Sequence, residues 1–274
     1  MKKDFTVVYL LGGLSHRFGG SIKSLASIGK NGESLLEISM KQAAKSHPSQ
    51  FVLIVSPVTK KAYEEKLGHE FLNIPINYSI QSFDPIIRDK PWGTADALCA
   101  AIDNIKSDFV ICNGDDLYGD SSFRQAKQFL LEHNACINIG YRLIDVIPDD
   151  GKVNRAIIQT NQDGDIQSMK EEFNITIDRI KNKEFQADSL CSMNFFGMIF
   201  SILPKIKQKV IEFKINNSDD RKTECLLPQV INELINEKQA VFKVLPAQER
   251  WMGITYASDV EKAKKYVQEL KILE

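Results

Sequence analysis

Five short, mostly apolar runs with β-strand character recur along the first half of the chain, separated by helix-like segments. They are Phe5–Leu11, Phe51–Val55, Ile76–Ile80, Asp108–Cys112 and Ala135–Tyr141. A strand that is apolar on both faces has to be covered on both faces, which parallel sheets achieve with crossover helices. The pattern therefore predicts an α/β fold with a mixed, mostly parallel central sheet flanked by helices on both faces.

Helix-start signals and apolar positions at helical spacing mark the segments between and after these runs. The predicted helices are Glu33–Ser46, Ser56–Leu67, Thr94–Ile105, Ser122–His133, Glu224–Asn236 and Ser258–Leu270. Ser56 is expected to be the N-cap of the second helix, and Thr94 is suited to cap the third. Ser122 and Ser258 each begin a capping-box pattern.

The second half of the chain is more mixed. Ala156–Gln159 and Ile166–Met169 flank an Asn-Gln-Asp-Gly-Asp turn and predict a hairpin, and Met193–Phe200 predicts a further strand. No internal repeat or low-complexity linker interrupts the chain. We therefore expect one α/β domain with two functional halves that meet near residue 150.

Charge and cysteine usage exclude several classes of protein. Lys and Arg number 35 against 36 Asp and Glu, a net charge of −1, which argues against binding of nucleic acid through a general basic field. Five widely spaced cysteines without a C-x-x-C pair favour reduced thiols in a cytoplasmic protein. No segment approaches about 20 apolar residues, so we expect no membrane span. The sequence leaves a homo-oligomer open.

A glycine-rich segment with two cations follows the first strand. It runs from Leu11 to Lys23 and contains Arg17. Glycine lets backbone N–H groups approach an anion, cations add charge, and ligands of open α/β sheets bind at this end of the strands. The segment matches neither G-x-x-x-x-G-K-[ST] nor G-x-G-x-x-G. On its own, it is either a phosphate-binding loop or a glycine-rich turn with solvated cations.

Two further segments follow the ends of predicted strands. Asp115 and Asp116 come just after the strand Asp108–Cys112, and side chains that diverge there would let only one of them reach a given metal. Mg²⁺ prefers few carboxylates together with waters and phosphate oxygens, whereas the alternative is a simple Asn-Gly-Asp turn. Gly93 and Thr94 begin a helix where the backbone could hydrogen-bond the edge of a ring, or they form only a capped helix start.

Taken in order, these segments resemble the sugar nucleotidyltransferase (nucleotide-sugar pyrophosphorylase) family. The family pattern is L-x-G-G-x-[GS]-x-R, a Lys before a short apolar stretch, G-T-[AG]-x-A, and G-D after a later strand. Here the matching pieces are Leu11–Arg17, Lys23–Leu25, Gly93–Ala97 and Gly114-Asp115. The resemblance implies a Rossmann-like, GT-A-like fold. It also implies transfer of a nucleoside monophosphate from an NTP to a sugar 1-phosphate, with Mg²⁺ as cofactor.

By this resemblance, residues 1–150 bind the nucleotide and residues 151–274 bind the sugar. Arg17, Lys23 and Asp115 would be the catalytic residues, with Asp115 as the metal ligand. The nucleotide-binding positions would be Leu11, Gly12, Gly13, Ser15, Gln81, Gly93 and Thr94. The sugar-binding positions would be Glu171 and Asn194.

Two departures from the family pattern leave alternatives open. The family has W-x-D-x-G-T late in the chain, with the Asp as a second metal ligand, whereas this sequence has Trp251-Met252-Gly253. That change leaves open a non-catalytic relative that binds a nucleotide. The short loop between Arg17 and Lys23 leaves open a cytidylyltransferase that acts on another phosphorylated small molecule. The presence of both Lys23 and Asp115 favours the enzyme.

Overall fold

The structure is a computed structural model that describes residues 4–12, 22–148, 151–254 and 259–270. Within these ranges the strands are β1 (Phe5–Leu10), β2 (Gln50–Val55), β3 (Glu70–Phe71), β4 (Ile74–Ile80), β5 (Asp108–Asn113), β6 (Asp116–Leu117), β7 (Cys136–Arg142), β8 (Val153–Thr160), β9 (Ile166–Ile175), β10 (Leu190–Met198), β11 (Phe242–Pro246) and β12 (Met252–Gly253). The helices are α1 (Leu35–Ala44), α2 (Lys60–Leu67), α3 (Thr94–Ala100), α4 (Asp120–Glu132), α5 (Ile177–Lys181), α6 (Leu203–Asn216), α7 (Leu227–Asn236) and α8 (Asp259–Glu269).

Ten of the described strands form one mixed sheet. Its order is β11-β7-β10-β5-β1-β2-β4-β3, and the β8–β9 hairpin joins it through pairing of β8 with β10. The central strands β5, β1, β2 and β4 are parallel, whereas β10 runs antiparallel to its neighbours β5 and β7. The predicted α/β fold with a mixed central sheet is confirmed, and so is the hairpin in the second half, although both of its strands are longer than predicted.

Two buried layers cover the faces of the sheet. Val7 and Tyr9 of β1 pack with Met40 of α1 in one layer, and Val8 packs with Leu98 of α3 in the other. All five side chains are fully buried. Burial on both faces explains why the first apolar run shows so little polar alternation.

Helices α2 and α4 begin at other residues than predicted, because their first turns find other partners. Helix α2 begins at Lys60, since Ser56 Oγ accepts the Thr59 backbone N–H at 3.2 Å and so closes a turn ahead of the helix. Helix α4 begins at Asp120, where the Glu249 carboxylate accepts the Ser121 N–H at 2.7 Å. Ser122 therefore lies inside the helix and is not its cap.

The helix after Gly93 also differs from the prediction. Helix α3 ends at Ala100 and is followed by a 3₁₀ turn at Ile102–Asn104. Thr94 does not cap it: its Oγ1 accepts the backbone N–H of Leu227 at 2.9 Å, and Leu227 is where α7 begins. Helix α7 therefore starts three residues later than predicted. The predicted cap Ser258 lies outside the described residues.

Candidate active site

The candidate site lies at the carboxyl ends of the adjacent parallel strands β1 and β5. Leu10 and Asn113, the last residues of these strands, pair directly. Gly114 then passes so close to the first strand that a Cβ on it would lie 2.1 Å from Leu11 Cδ2. This close approach explains the glycine ahead of Asp115, and it brings the chain after β5 against the start of the glycine-rich segment. Gly13, Ser15 and Arg17 lie outside the described residues.

Lys23 and Asp115 form an ion pair at this edge of the sheet. Lys23 Nζ lies 2.6 Å from Asp115 Oδ2, with the side chains 20% and 35% exposed. Lys23 begins a short 3₁₀ turn at Lys23–Leu25, and the next residue is anchored by a 2.6 Å hydrogen bond between Ser24 Oγ and Tyr63 OH. The lysine is therefore held on a fixed backbone, and a ligand that enters here would meet both charges.

Asp116 is the buried neighbour of this ion pair. It is 6% exposed; Asn113 Nδ2 donates to its Oδ2 at 2.9 Å, and the Tyr118 hydroxyl lies 3.1 Å from the same oxygen. Burial raises the pKa of Asp116 to about 7, and the charge of Asp115 adds to the shift. The two neighbouring carboxylates therefore differ in environment: one is partly exposed and ion-paired, and the other is buried.

Gly253 lies directly opposite Asp116. Strands β6 and β12 form a small antiparallel sheet in which Gly253 pairs with Asp116. A Cβ on Gly253 would lie 2.4 Å from Asp116 Oδ1 and 2.2 Å from a ring carbon of Trp251. In this packing, position 253 has no room for the carboxylate of the family pattern, and the carboxylate next to it belongs to Asp116.

Two cavities meet at the Lys23–Asp115 ion pair. The larger has a volume of about 730 Å³ and the smaller about 220 Å³, and both are lined by Lys23, Asn113 and Asp115. The larger cavity is also lined by the predicted nucleotide-binding residues Leu11, Gly12, Gln81, Gly93 and Thr94. The smaller is also lined by Asp116 and by the predicted sugar-binding residues Glu171 and Asn194. The predicted site residues that the structure describes are thus brought to one pair of adjoining cavities.

Gln81 is fixed in the wall of the larger cavity. Its Nε2 donates to Gly93 O and to Asp96 Oδ2, both at 2.9 Å. Because both partners are acceptors, the amide nitrogen has to face them, and Oε1 faces the other way, 3.1 Å from where a Cβ on Gly12 would lie. Lys214 forms an ion pair with Asp96. Gln81 therefore presents an oxygen acceptor next to Gly12.

The smaller cavity has a mixed polar lining. Glu171 of β9 is half-buried, and burial raises its pKa although Arg155 opposes the shift. Asn194 adopts a left-handed backbone with φ of 58°, in a bulge of β10 where its N–H donates to Ser192 Oγ at 3.2 Å. The bulge gives a physical reason why a polar side chain leaves the strand at this point and lines the cavity.

Sequence reasoning missed two residues that line the smaller cavity. Asp116 lines this cavity together with Asp115, and the expectation that only one of the two reaches a given metal stays a prediction. Arg155 of β8 donates to the backbone oxygens of Asn154 and Val146 and lies 5.6 Å from the Trp251 ring. A single arginine in a strand forms no motif, so no sequence signal could have identified Arg155.

Comparison with known proteins assigns the chain to a family. A family model described as nucleotidyl transferase matches residues 20–172, more than half of the chain. The chain therefore belongs to the nucleotidyl transferase family, in agreement with the sugar nucleotidyltransferase resemblance, and it is a nucleotidyltransferase. No curated protein sequence matches it at a significant level.

Solved structures share the fold over nearly the whole chain. The inositol-1-phosphate CTP transferase from T. maritima has a TM-score of 0.68 at 16% identity and covers 98% of both chains. A putative glucose-1-phosphate thymidylyltransferase from Bacillus anthracis has a TM-score of 0.69 at 14% identity, covering 97% of this chain and 96% of its own. HddC from Yersinia pseudotuberculosis, complexed with GMP-PN, has a TM-score of 0.62 at 17% identity, covering 95% and 98%. At these identities the likeness shows the fold alone.

The described helices also bear on the prediction of no membrane span. Among the helices in the described ranges, not one combines the length and the apolar character that crossing a membrane requires.

Proposed function

We propose that the protein transfers a nucleoside monophosphate from an NTP to a sugar 1-phosphate and releases pyrophosphate. The observation that carries the proposal is the ion pair of Lys23 and Asp115 at the junction of two unequal cavities. An NTP is the bulkier substrate and suits the larger cavity, whose described lining comes almost wholly from residues 1–150. The acceptor suits the smaller cavity, lined largely by residues from 151–274. The reacting phosphates would then meet at the ion pair.

The reaction joins two phosphates and needs no general base. An oxygen of the acceptor phosphate attacks the α-phosphorus, and the bond from that phosphorus to the bridging oxygen of pyrophosphate breaks. The attacking oxygen is already ionised, so the obstacles are repulsion between anions and charge on the leaving group. Orientation and electrostatic stabilisation would therefore supply most of the acceleration. Lys23 lies where that charge would develop, and Arg17 is assigned the same role by resemblance.

The residues at the junction fit Mg²⁺. This ion is usually bound through one or two carboxylates together with waters and substrate phosphates. Asp115 is partly exposed there, with Asp116 beside it, while the described residues contain no group of three or more His, Cys, Asp or Glu that could hold a metal. We assign Asp115 as the ligand. When bound, Mg²⁺ would neutralise charge on the phosphates.

The charge of the larger cavity supports a need for additional cations. Its described lining carries Lys23 and Lys90 against Asp89, Asp115 and Glu224. Both lysines are ion-paired, Lys23 with Asp115 and Lys90 with Glu224, each at 2.6 Å. A triphosphate brings several negative charges, so these paired lysines do not suffice to hold it. A divalent ion and the guanidinium of Arg17 are the cations that the proposal adds.

The nucleotide base is assigned to the wall formed by Gln81, Gly93 and Thr94. Gln81 Oε1 accepts hydrogen bonds, and each of the common bases carries an N–H donor on its pairing edge. Gly93 has a φ of 99°, and its Cα lies against Cys225, where a Cβ would be 2.6 Å from the carbonyl oxygen. The missing side chain lets the backbone at Gly93 pack directly against Cys225, which fixes this part of the wall that would face the base.

Pyrophosphate release is the direct test. We would combine ATP, GTP, CTP, UTP and dTTP with a set of sugar 1-phosphates, with and without Mg²⁺. Lys23→Ala and Asp115→Ala should each lower kcat by about 10²–10³-fold on the productive pair, which is typical of losing one charge-stabilising contact. Lys45→Ala is the matched control, because it breaks an exposed ion pair with Asp120 that lies outside both cavities. Wild-type turnover in both site variants would refute the assigned roles.

A second candidate acceptor is another phosphorylated small molecule, with CTP as the donor. The T. maritima structure that shares the fold is an inositol-1-phosphate CTP transferase, and it covers this chain almost end to end. Adding inositol 1-phosphate to the acceptor set separates the two candidates. Turnover confined to CTP and a phosphorylated polyol would favour the second, and turnover with a sugar 1-phosphate would favour the first.

A further inference from the structure

A buried arginine holds together two segments that are distant in sequence. Arg88 is 1% exposed, and its guanidinium donates to the backbone oxygens of Lys90 at 3.1 Å, Asp220 at 2.7 Å and Thr223 at 2.5 Å. The guanidinium carbon also lies 3.4 Å from the centre of the Trp92 ring. Burying a cation is costly unless its donors are satisfied, so this set of partners indicates a specific role for the residue.

A second arginine makes the reciprocal connection. Arg221 donates from Nη1 to Ile86 O at 2.6 Å, from Nη2 to Pro85 O at 3.3 Å and from Nε to Asp89 Oδ1 at 2.9 Å. The backbone N–H of Asp89 returns a bond of 3.0 Å to Arg221 O. We name the bonds that Arg88 and Arg221 make between segments 85–92 and 220–225 the arginine clasp.

Both clasped segments continue into the wall of the larger cavity. Trp92 O accepts the Cys225 N–H at 2.6 Å, and Cys225 O accepts the Ala95 N–H at 3.0 Å. Thr94 Oγ1 accepts the Leu227 N–H at 2.9 Å. Gly93 lies between these bonds, and its carbonyl holds the Gln81 amide. A shift of one segment against the other would therefore move Gly93 and Gln81 together.

We propose that Arg88 and Arg221 are positioning residues that set the nucleotide affinity of the larger cavity. This inference rests on the proposed function, in which that cavity holds the base. A loop held in its binding conformation before the ligand arrives loses less freedom on binding, which improves affinity without a new ligand contact. Neither arginine lines either cavity. Loosening the clasp should therefore raise KM for the NTP and leave kcat and the acceptor KM unchanged.

Arg221→Ala is the main test, because the Arg221 side chain is 45% exposed and its loss puts the fold at little risk. We expect KM for the preferred NTP to rise about tenfold, which corresponds to about 1.4 kcal/mol of binding free energy. Arg221→Lys, which keeps the charge without the planar fork, should recover part of the loss. Arg88→Lys should act in the same direction as Arg221→Ala.

Arg179→Ala is the matched control. Arg179 also joins a carboxylate, Glu184, to two backbone oxygens, those of Phe173 and Asn174. None of these partners lines the larger cavity, whereas Pro85 and Asp89, two partners of Arg221, do. The Arg179→Ala variant should leave KM for the NTP unchanged. A lower melting temperature in Arg221→Ala with unchanged KM for the NTP, or a fall in kcat with unchanged KM, would overturn the inference.

A calorimetric titration separates this inference from the proposed function. Each of ATP, GTP, CTP, UTP and dTTP is titrated into the wild type and Arg221→Ala without acceptor. If the wild type turns over no acceptor but binds one of the nucleotides, a weaker affinity in the variant still supports the clasp. Equal affinities would refute it whatever the acceptor is.

Discussion

Replacing Asp116 by Asn should stabilise the protein above pH 7 and change its stability little near pH 4. The carboxylate is almost completely buried, and the charge of Asp115 lies next to it, so its pKa rises from 3.8 to about 7. Asn113 Nδ2 and the Tyr118 hydroxyl both approach a single oxygen, Oδ2. The one oxygen of an Asn side chain could accept both bonds, so the substitution removes the charge while keeping these contacts.

The magnitude follows from linkage between proton binding and folding. Because the pKa is raised in the folded state, the carboxyl group destabilises the protein only once the unfolded chain releases its proton. The loss of stability starts near pH 4, grows as the pH rises, and is complete above pH 7. The rise of the Asp116 pKa from 3.8 to about 7 corresponds to about 4 kcal/mol in the free energy of unfolding. The Asn variant lacks this loss, so its advantage over the wild type should grow by up to about 4 kcal/mol over that range.

Urea unfolding at several pH values between 4.5 and 8 measures the effect. The buffers should contain a chelator, so that no divalent ion titrates with the carboxylates. Circular dichroism reports on the whole fold, and fluorescence includes Trp251, whose ring approaches the same Gly253 as Asp116 does. Asp163→Asn, at an exposed site in the β8–β9 turn, is the matched control for the Asp-to-Asn exchange. A stability difference between Asp116→Asn and the wild type that is the same at every pH would refute the view that burial holds this carboxyl group protonated.

Two glycines give further tests. Gly93→Ala should lower the melting temperature and raise KM for the NTP, because the new Cβ would meet a backbone oxygen at 2.6 Å on a backbone with positive φ. Gly68→Ala has a similar positive φ but open space around it, so it should cost about 1–3 kcal/mol for the backbone alone and leave KM unchanged. Gly253→Asp should destabilise the protein by several kcal/mol, because it places a side chain 2.4 Å from Asp116 Oδ1. A stable Gly253→Asp protein that binds Mn²⁺ more tightly in calorimetry would show that position 253 can still hold a metal ligand.

The central strands β1, β2 and β5 could be predicted, because burial on both faces requires consecutive apolar residues in the sequence, whereas the edge strand β11 and the short strands β3, β6 and β12 were not predicted. Val7, Val8 and Tyr9 are fully buried on two opposite faces, which is what a run of consecutive apolar residues indicates. Helix starts were less predictable, since a cap can come from anywhere in the chain. The Glu249 carboxylate that accepts the Ser121 N–H is 128 residues away in sequence, so no local pattern near Ser122 could reveal it.

The candidate site could be predicted only in part. Lys23 and Asp115 were expected to share one site because both follow the carboxyl ends of strands in one sheet, and their 2.6 Å ion pair agrees. The partners of Arg88 were beyond prediction, because two of them are backbone oxygens more than 130 residues away. A side chain that binds backbone places no requirement on the identity of the residues it contacts, so it produces no motif.

The pairing of β6 with β12 shows that a carboxyl group lies beside position 253 even though this position holds glycine where the family pattern has Asp. Pairing places position 253 directly opposite Asp116, and two side chains cannot both fill the space between them. An acidic side chain at 116 therefore goes with glycine at 253, and one carboxylate still lies beside Asp115. Position 253 alone, compared with the family pattern, indicates a missing carboxylate. The pairing of β6 with β12 shows that the Asp116 carboxyl group lies next to that position. Because the Trp251 ring also lies 2.2 Å from where a Cβ on Gly253 would be, an acidic residue at 253 needs both the Asp116 and the Trp251 side chains to give way, and Asp116→Gly alone does not make room for it.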